Sequence, residues 1–214
     1  LLVYTALGDS ISWGLGAPLF YGYAYYIRDI LKFYYPDTRF KNFSRPAATS
    51  KYMLYQLRIN SKIRNAISNS SLITISIGGN NLLKGAKNFY RIVDEYAVQK
   101  WIIQFARDWP EILKEIRFNI CYPGPIYIMT IYNPCRTDDI RYAVFDKYID
   151  ELNSIISDSF LISSYSYEIV DVYTHFEGNL GKYWTHFYDG RHNPHPNAEG
   201  HRQIALLHRM SMGI

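Results

Sequence analysis

Cysteine is scarce in this chain of 214 residues, which contains Cys121 and Cys135 and no other. The two flank the apolar run "PIYIMTIY". If that run is extended at about 3.3 Å per residue, its ends lie too far apart for a disulfide, which needs Cα atoms within about 7 Å. Both cysteines therefore read as free thiols. No run of about 18 apolar residues occurs, which excludes a membrane-spanning helix. Lys and Arg never form a run longer than two, and 23 basic against 19 acidic residues leave a formal charge of only +4. Charges scattered in this way do not build the basic face of a nucleic-acid binder, so no nucleic-acid partner is expected. Low-complexity linkers and internal repeats are also missing, and the default is one domain over residues 1–214. The opening residues "LLVYTALG" lack a basic leader, a long apolar segment and a small-residue cleavage site. No signal peptide is expected from them, and a cytoplasmic location is the default.

What is present is enough for a sizeable core, with 48% hydrophobic residues. Tyrosine is unusually common at 21 copies, a half-polar residue suited to rims and interfaces. Five short segments rich in β-branched and aromatic residues read as strands: 1–7, 39–43, 71–78, 125–133 and 167–173. Most are almost continuously apolar, as strands covered on both faces should be, which implies a parallel sheet. Between them, helical spacing predicts helices over about Tyr23–Tyr35, from Met53 through the 60s, over about 88–118 with an interruption at Trp109-Pro110, and from Tyr142 to about Phe160. A last helix follows Asn197, which can cap it. Strand–helix alternation over the whole length predicts a three-layer α/β/α sandwich on a five-stranded parallel sheet with right-handed crossovers. Reactive groups in such folds gather beyond the carboxyl ends of the strands.

Three strings fall at those ends. Gly8-Asp9-Ser10 closes the first strand, where a glycine permits a sharp turn and a serine can project its hydroxyl into the crevice. Capping of a helix by the same residues is the plainer alternative. "GGNN" closes the third strand, and the Asn80 amide could donate to an anionic oxygen. "NFSRPAATS" follows the second, where a backbone N–H near Ala47 could add to the same oxyanion site or simply lead into a helix. All six histidines lie between residues 175 and 208. His192, His195 and His201 could ligate a metal, but no carboxylate or cysteine completes a familiar zinc spacing. His195, rigidly presented before Pro196, fits better as the general base that a serine hydroxyl needs before it can act as a nucleophile.

Taken in order, "GDSISWG", "GGNN" and "HPNAEGH" resemble the sequence blocks of the SGNH, or GDSL-type, lipase/esterase family, and "YTALGDS…GLGAP" is most similar to its spore-germination lipase branch. The resemblance implies a flavodoxin-like sheet and a serine esterase or lipase that hydrolyses carboxylic esters through an acyl-enzyme. It implies Ser10 as nucleophile, His195 as base, and an oxyanion hole built from the Ser10 N–H, a backbone N–H at Ala47 and the Asn80 side chain. No metal or organic cofactor is implied, and the partner is a small-molecule or lipid ester. A spore-associated location becomes an alternative to the cytoplasm. A carbohydrate O-deacetylase belongs to the same wider family.

Three positions depart from the family pattern. Ala47 stands where Gly is usual, which preserves a backbone donor if φ stays negative. Asn81 stands where Asp is common. His192 occupies the place, three before His195, that often holds the acid, while Asp189 lies three before His192. Either His195 is the base, supported by Asp189 or by a carbonyl, or His192 pairs with Asp189; the "HPNAEGH" match favours His195. These departures also leave room for a binding or spore-structural protein that kept the fold and lost efficient catalysis. Trp13, Leu15, Leu19, Phe20 and Tyr21 could line an acyl pocket, although core or surface packing is the plainer reading of each.

Overall fold

The computed structural model describes residues 1–85, 94–178, 182–183 and 193–214. Within them, strands β1 (Val3–Gly8), β2 (Arg39–Asn42), β3 (Leu72–Ser76), β4 (Ile126–Met129) and β5 (Glu168–Val170) form one sheet in the order β2-β1-β3-β4-β5. Every pairing is parallel. This is the expected doubly wound, flavodoxin-like sheet.

Period-two alternation sends side chains to two separate cores. Tyr4, Ala6, Leu72 and Met129 pack with Tyr23, Ile27, Leu31, Ile204 and Ala205, which belong to helices α2 (Tyr23–Tyr34) and α10 (Ala198–Met212). Leu7, Ile73, Ile75, Ile126 and Ile128 face the other way. There they meet α3 (Ser50–Ile59), α4 (Ser61–Ser68), α6 (Glu95–Lys114) and α7 (Tyr142–Ile156). Both faces are covered, which explains why the strands read as unbroken apolar runs. Shorter helices complete the chain order: α1 (Ser10–Trp13), α5 (Gly79–Gly85), α8 (Ser159–Tyr165) and α9 (Val172–Glu177). No helix among the described residues is long and apolar enough to cross a membrane. Cys121 and Cys135 are free thiols, as their spacing predicts.

Local chemistry moves several expected boundaries. The helix expected from Met53 begins earlier, at Ser50, where the Thr49 side chain accepts from the Tyr52 N–H. It breaks at Asn60, whose Oδ1 accepts from the N–H groups of Lys62 and Ile63 and starts α4. Asp158 divides the helix after Tyr142 in the same way, accepting from Leu161 N–H. In contrast, α6 runs straight through Pro110 instead of stopping there. The ring removes one backbone donor, yet Phe105, Trp109, Ile112 and Leu113 around it are fully buried, and their packing holds the helix together. The segments expected as strands at 125–133 and 167–173 leave the sheet after Met129 and Val170. At the second exit Asp171 caps α9 by accepting from Thr174 N–H. The exit after Met129 contributes to the site.

Candidate active site

The turn that presents Ser10 is determined by its neighbours. Gly8 adopts φ +146°, and a Cβ there would sit 2.3 Å from the Ser76 carbonyl oxygen of β3, so only glycine lets the two strand ends close on each other. Asp9 then caps α1: its Oδ1 accepts from Ile11 N–H at 3.0 Å and from the Ser76 hydroxyl at 2.8 Å. Burial pushes the Asp9 carboxyl up to about 6 despite these bonds. Ser10 follows as the first residue of α1, where backbone N–H groups have no intrahelical acceptor.

His195 reaches this hydroxyl from the far end of the chain, with Nε2 2.9 Å from Ser10 Oγ. Its Nδ1 lies 2.7 Å from Asn193 Oδ1. The His195 backbone N–H also donates to that Asn193 atom at 3.3 Å, which marks it as the amide oxygen, since a backbone N–H can only donate. An oxygen acceptor at Nδ1 fixes the proton there and leaves Nε2 to accept from Ser10. Burial lowers the imidazole to about 4, so it is neutral near pH 7. Asn193 was not anticipated from sequence; nothing but its adjacency to His195 marks it.

Asn80, on the first turn of α5, lines the same cleft as Ser10 and His195. One of its amide hydrogens goes to the Ala48 carbonyl at 3.0 Å, which orients the group while the amide retains a second donor hydrogen. Asn81 accepts from Ser50 N–H at 3.0 Å and donates to Ser50 Oγ at 2.8 Å. Ser50 passes the chain to Asp108 Oδ2 at 2.7 Å. A buried carboxylate thus stands one residue away, through Ser50, from position 81, where the family pattern commonly has Asp, and the network ties the starts of α3 and α5 to α6.

Ala47 departs from expectation. Its φ is +63°, not negative, because it is the third residue of a turn from Arg45 to Ala48, closed by Ala48 N–H on the Arg45 carbonyl at 3.1 Å, with Pro46 second. It is exposed and is not one of the cleft-lining residues described. Asp189 and His192 lie outside the described residues. The site therefore brings together Ser10, His195 and Asn80 from across more than four-fifths of the chain length, without Ala47.

The cleft itself, open to solvent, has an apolar wall of Leu82, Leu83, Ile131, Pro134, Phe145 and Ile149. Trp13, Leu15, Leu19, Phe20 and Tyr21 do not line it, and Leu19 is 96% exposed, in keeping with the plainer reading of these residues. Phe145 and Ile149 lie on the buried apolar stripe of α7, and only the tertiary structure gives that stripe a second role as a cleft wall. Among the described residues no cluster of His, Cys, Asp or Glu is arranged to hold a metal ion.

A serine hydroxyl against a neutral imidazole, beside an amide at the carboxyl edge of a parallel sheet, is the equipment of a serine hydrolase. Residues 6–203 match the GDSL-like Lipase/Acylhydrolase family, and the chain belongs to that family of ester hydrolases. No curated protein matches it. Among solved structures it is similar to the lipase Lip_vut3 from a goat rumen metagenome, at 23% identity over 99% of this chain and 97% of that one, with a TM-score of 0.81. It is also similar to Axe2, an acetylxylan esterase from Geobacillus stearothermophilus, at 16% identity over 100% and 94% with a TM-score of 0.69. TesA matches at 17% identity over 98% and 97%, with a TM-score of 0.68. These likenesses share the fold.

Proposed function

We propose that the chain is a single catalytic domain that hydrolyses carboxylic esters through an acyl-enzyme on Ser10. The observation that carries this reading is the 2.9 Å contact between Ser10 Oγ and His195 Nε2. As Oγ attacks the ester carbonyl, the Ser10 proton passes to Nε2, and the imidazolium then protonates the departing alcohol. Asn193 holds the imidazole in the required tautomer. The developing oxyanion is met by the Asn80 amide and the Ser10 N–H. Water, activated by His195, then attacks the acyl-serine, releases the acid and restores the proton to Oγ.

The lining supports esters with an aliphatic acyl chain, because the groups beyond the reacting centre are apolar. A second reading, removal of acetyl groups from carbohydrate, has the acetylxylan esterase among the structural neighbours in its favour. The motif "YTALGDS…GLGAP" supports placing the chain in the spore-germination lipase-like branch of the family. Ser10→Ala should reduce turnover of p-nitrophenyl esters by roughly a thousandfold or more while the protein stays folded. Wild-type rates in that variant would remove Ser10 from the mechanism. A series of acyl lengths set against acetylated sugars separates the two substrate classes.

A further inference from the structure

We propose that Tyr132 is a positioning residue for His195, acting through the carbonyl of Pro194. This rests on the proposed role of His195 as base. After leaving the sheet, the chain beyond β4 is clamped by α7: Ile131 N–H donates to Asn153 Oδ1 at 2.7 Å, and Asn153 Nδ2 donates to the Ile131 carbonyl at 2.8 Å. Thr130 N–H is bonded to the Val170 carbonyl at 3.0 Å, so the clamp extends from β5 as well. Tyr132 projects from this fixed segment. Its ring, 2% exposed, lies against Phe176 with centroids 4.8 Å apart, and its hydroxyl donates to the Pro194 carbonyl. Proline has no backbone N–H, so that carbonyl is the one backbone hydrogen-bonding group of the residue preceding His195.

The loop after Ser10 also packs closely on the His195 segment. A Cβ on Gly16 would meet the Pro196 carbonyl at 2.0 Å and the His195 Cβ at 2.9 Å. The segment carrying His195 is thus held both by the Gly16 backbone and by the strut from Tyr132. Burial, and then the charge of Asp9, push the phenol well above its usual range, so it stays a donor wherever the enzyme works. The strut sets the distance from Nε2 to Ser10 Oγ, a distance in which an error of about 1 Å can cost on the order of a hundredfold in rate.

Tyr132→Phe removes the hydroxyl and keeps the ring. Its kcat should fall roughly tenfold with KM unchanged within about twofold, and its melting temperature should stay within about 4 °C of wild type. Fluorophosphonate should still label one serine per chain, but more slowly, in proportion to kcat. Phe176→Leu, which thins the packing under the ring and leaves the hydroxyl, should lower stability and preserve kcat. Wild-type kcat and labelling rate in Tyr132→Phe would overturn the proposal, and so would a loss of activity matched by fewer labelled sites. Full activity in Ser10→Ala would sink the underlying mechanism instead, so the two failures are distinguishable.

Discussion

Ala47 holds a left-handed backbone at φ +63°, a conformation in which its Cβ is crowded. Few single residues in the chain are so directly at odds with their setting. Ala47→Gly should relieve about 1–2 kcal/mol of strain, partly offset by about 0.5–1 kcal/mol of extra chain entropy in the unfolded state. A net gain of about 1 kcal/mol raises the melting temperature by about 2–4 °C in a chain of this size. A calorimetric scan showing a lower melting temperature would contradict the strain argument. At this scale the sequence marked candidates by their place, Ser10 after Gly8-Asp9, Asn80 after paired glycines and His195 before a proline, each with another use open to it until the three were taken together. Asn193 and Tyr132 were not legible. An asparagine and a tyrosine carry no signal until folding brings one to the Nδ1 atom of an imidazole and the other beneath its loop.

The α7 helix shows how one element serves two purposes. Its apolar stripe packs on β4 and α6, and the same stripe exposes Phe145 and Ile149 to the cleft. Phe145→Ala should cost about 3–5 kcal/mol, because the ring is almost fully buried, and should lengthen the cleft. The expected readout is a lower denaturation midpoint together with a shift of relative kcat/KM toward longer acyl chains in an ester series. An unchanged chain-length profile would mean that α7 does not bound the acyl site. Periodicity identified this helix and its apolar face; it could not say that the face ends at a cavity. Helix ends were less legible than helix cores for a related reason. Asn60 and Asp158 are ordinary polar residues in sequence, and they divide helices only because their side chains find free N–H groups.

Over the molecule as a whole, buried titratable groups make stability depend on pH. Burial lowers His195, His201 and His208 to about 4 in the folded protein, against about 6.5 unfolded. Between these values the unfolded chain binds more protons, so their contribution is complete above about pH 6.5 and is lost as pH falls toward 4. Asp9, raised to about 6, acts oppositely: the folded state binds the extra proton, which stabilises it as pH falls from about 6 toward 4. Glu177, also raised by burial, adds to that offset. Three histidines against these carboxyls leave a net uptake of one to two protons on unfolding near pH 5, a slope of roughly 2 kcal/mol per pH unit. Chemical denaturation between pH 7 and 4.5 should show stability falling with acid. A flat profile would mean that the three imidazoles are not held neutral. His201 is the most sensitive of them, since its Nδ1 accepts from Tyr23 N–H while its Nε2 donates to the Leu15 carbonyl, and a protonated ring cannot accept.

Alternating apolar segments, turn glycines and helical stripes determined by themselves that this chain forms a parallel α/β sheet with Ser10 and Asn80 at strand ends. That follows because strand and helix periods are local properties, repeated every few residues and readable without knowing what packs against what. Tertiary structure alone decided the distance at which His195 meets Ser10 185 positions away, with Asn193 and Tyr132 supporting it and α7 forming the cleft wall. Distances between residues far apart in the chain are set by the packing of whole layers, and no short window of sequence contains them.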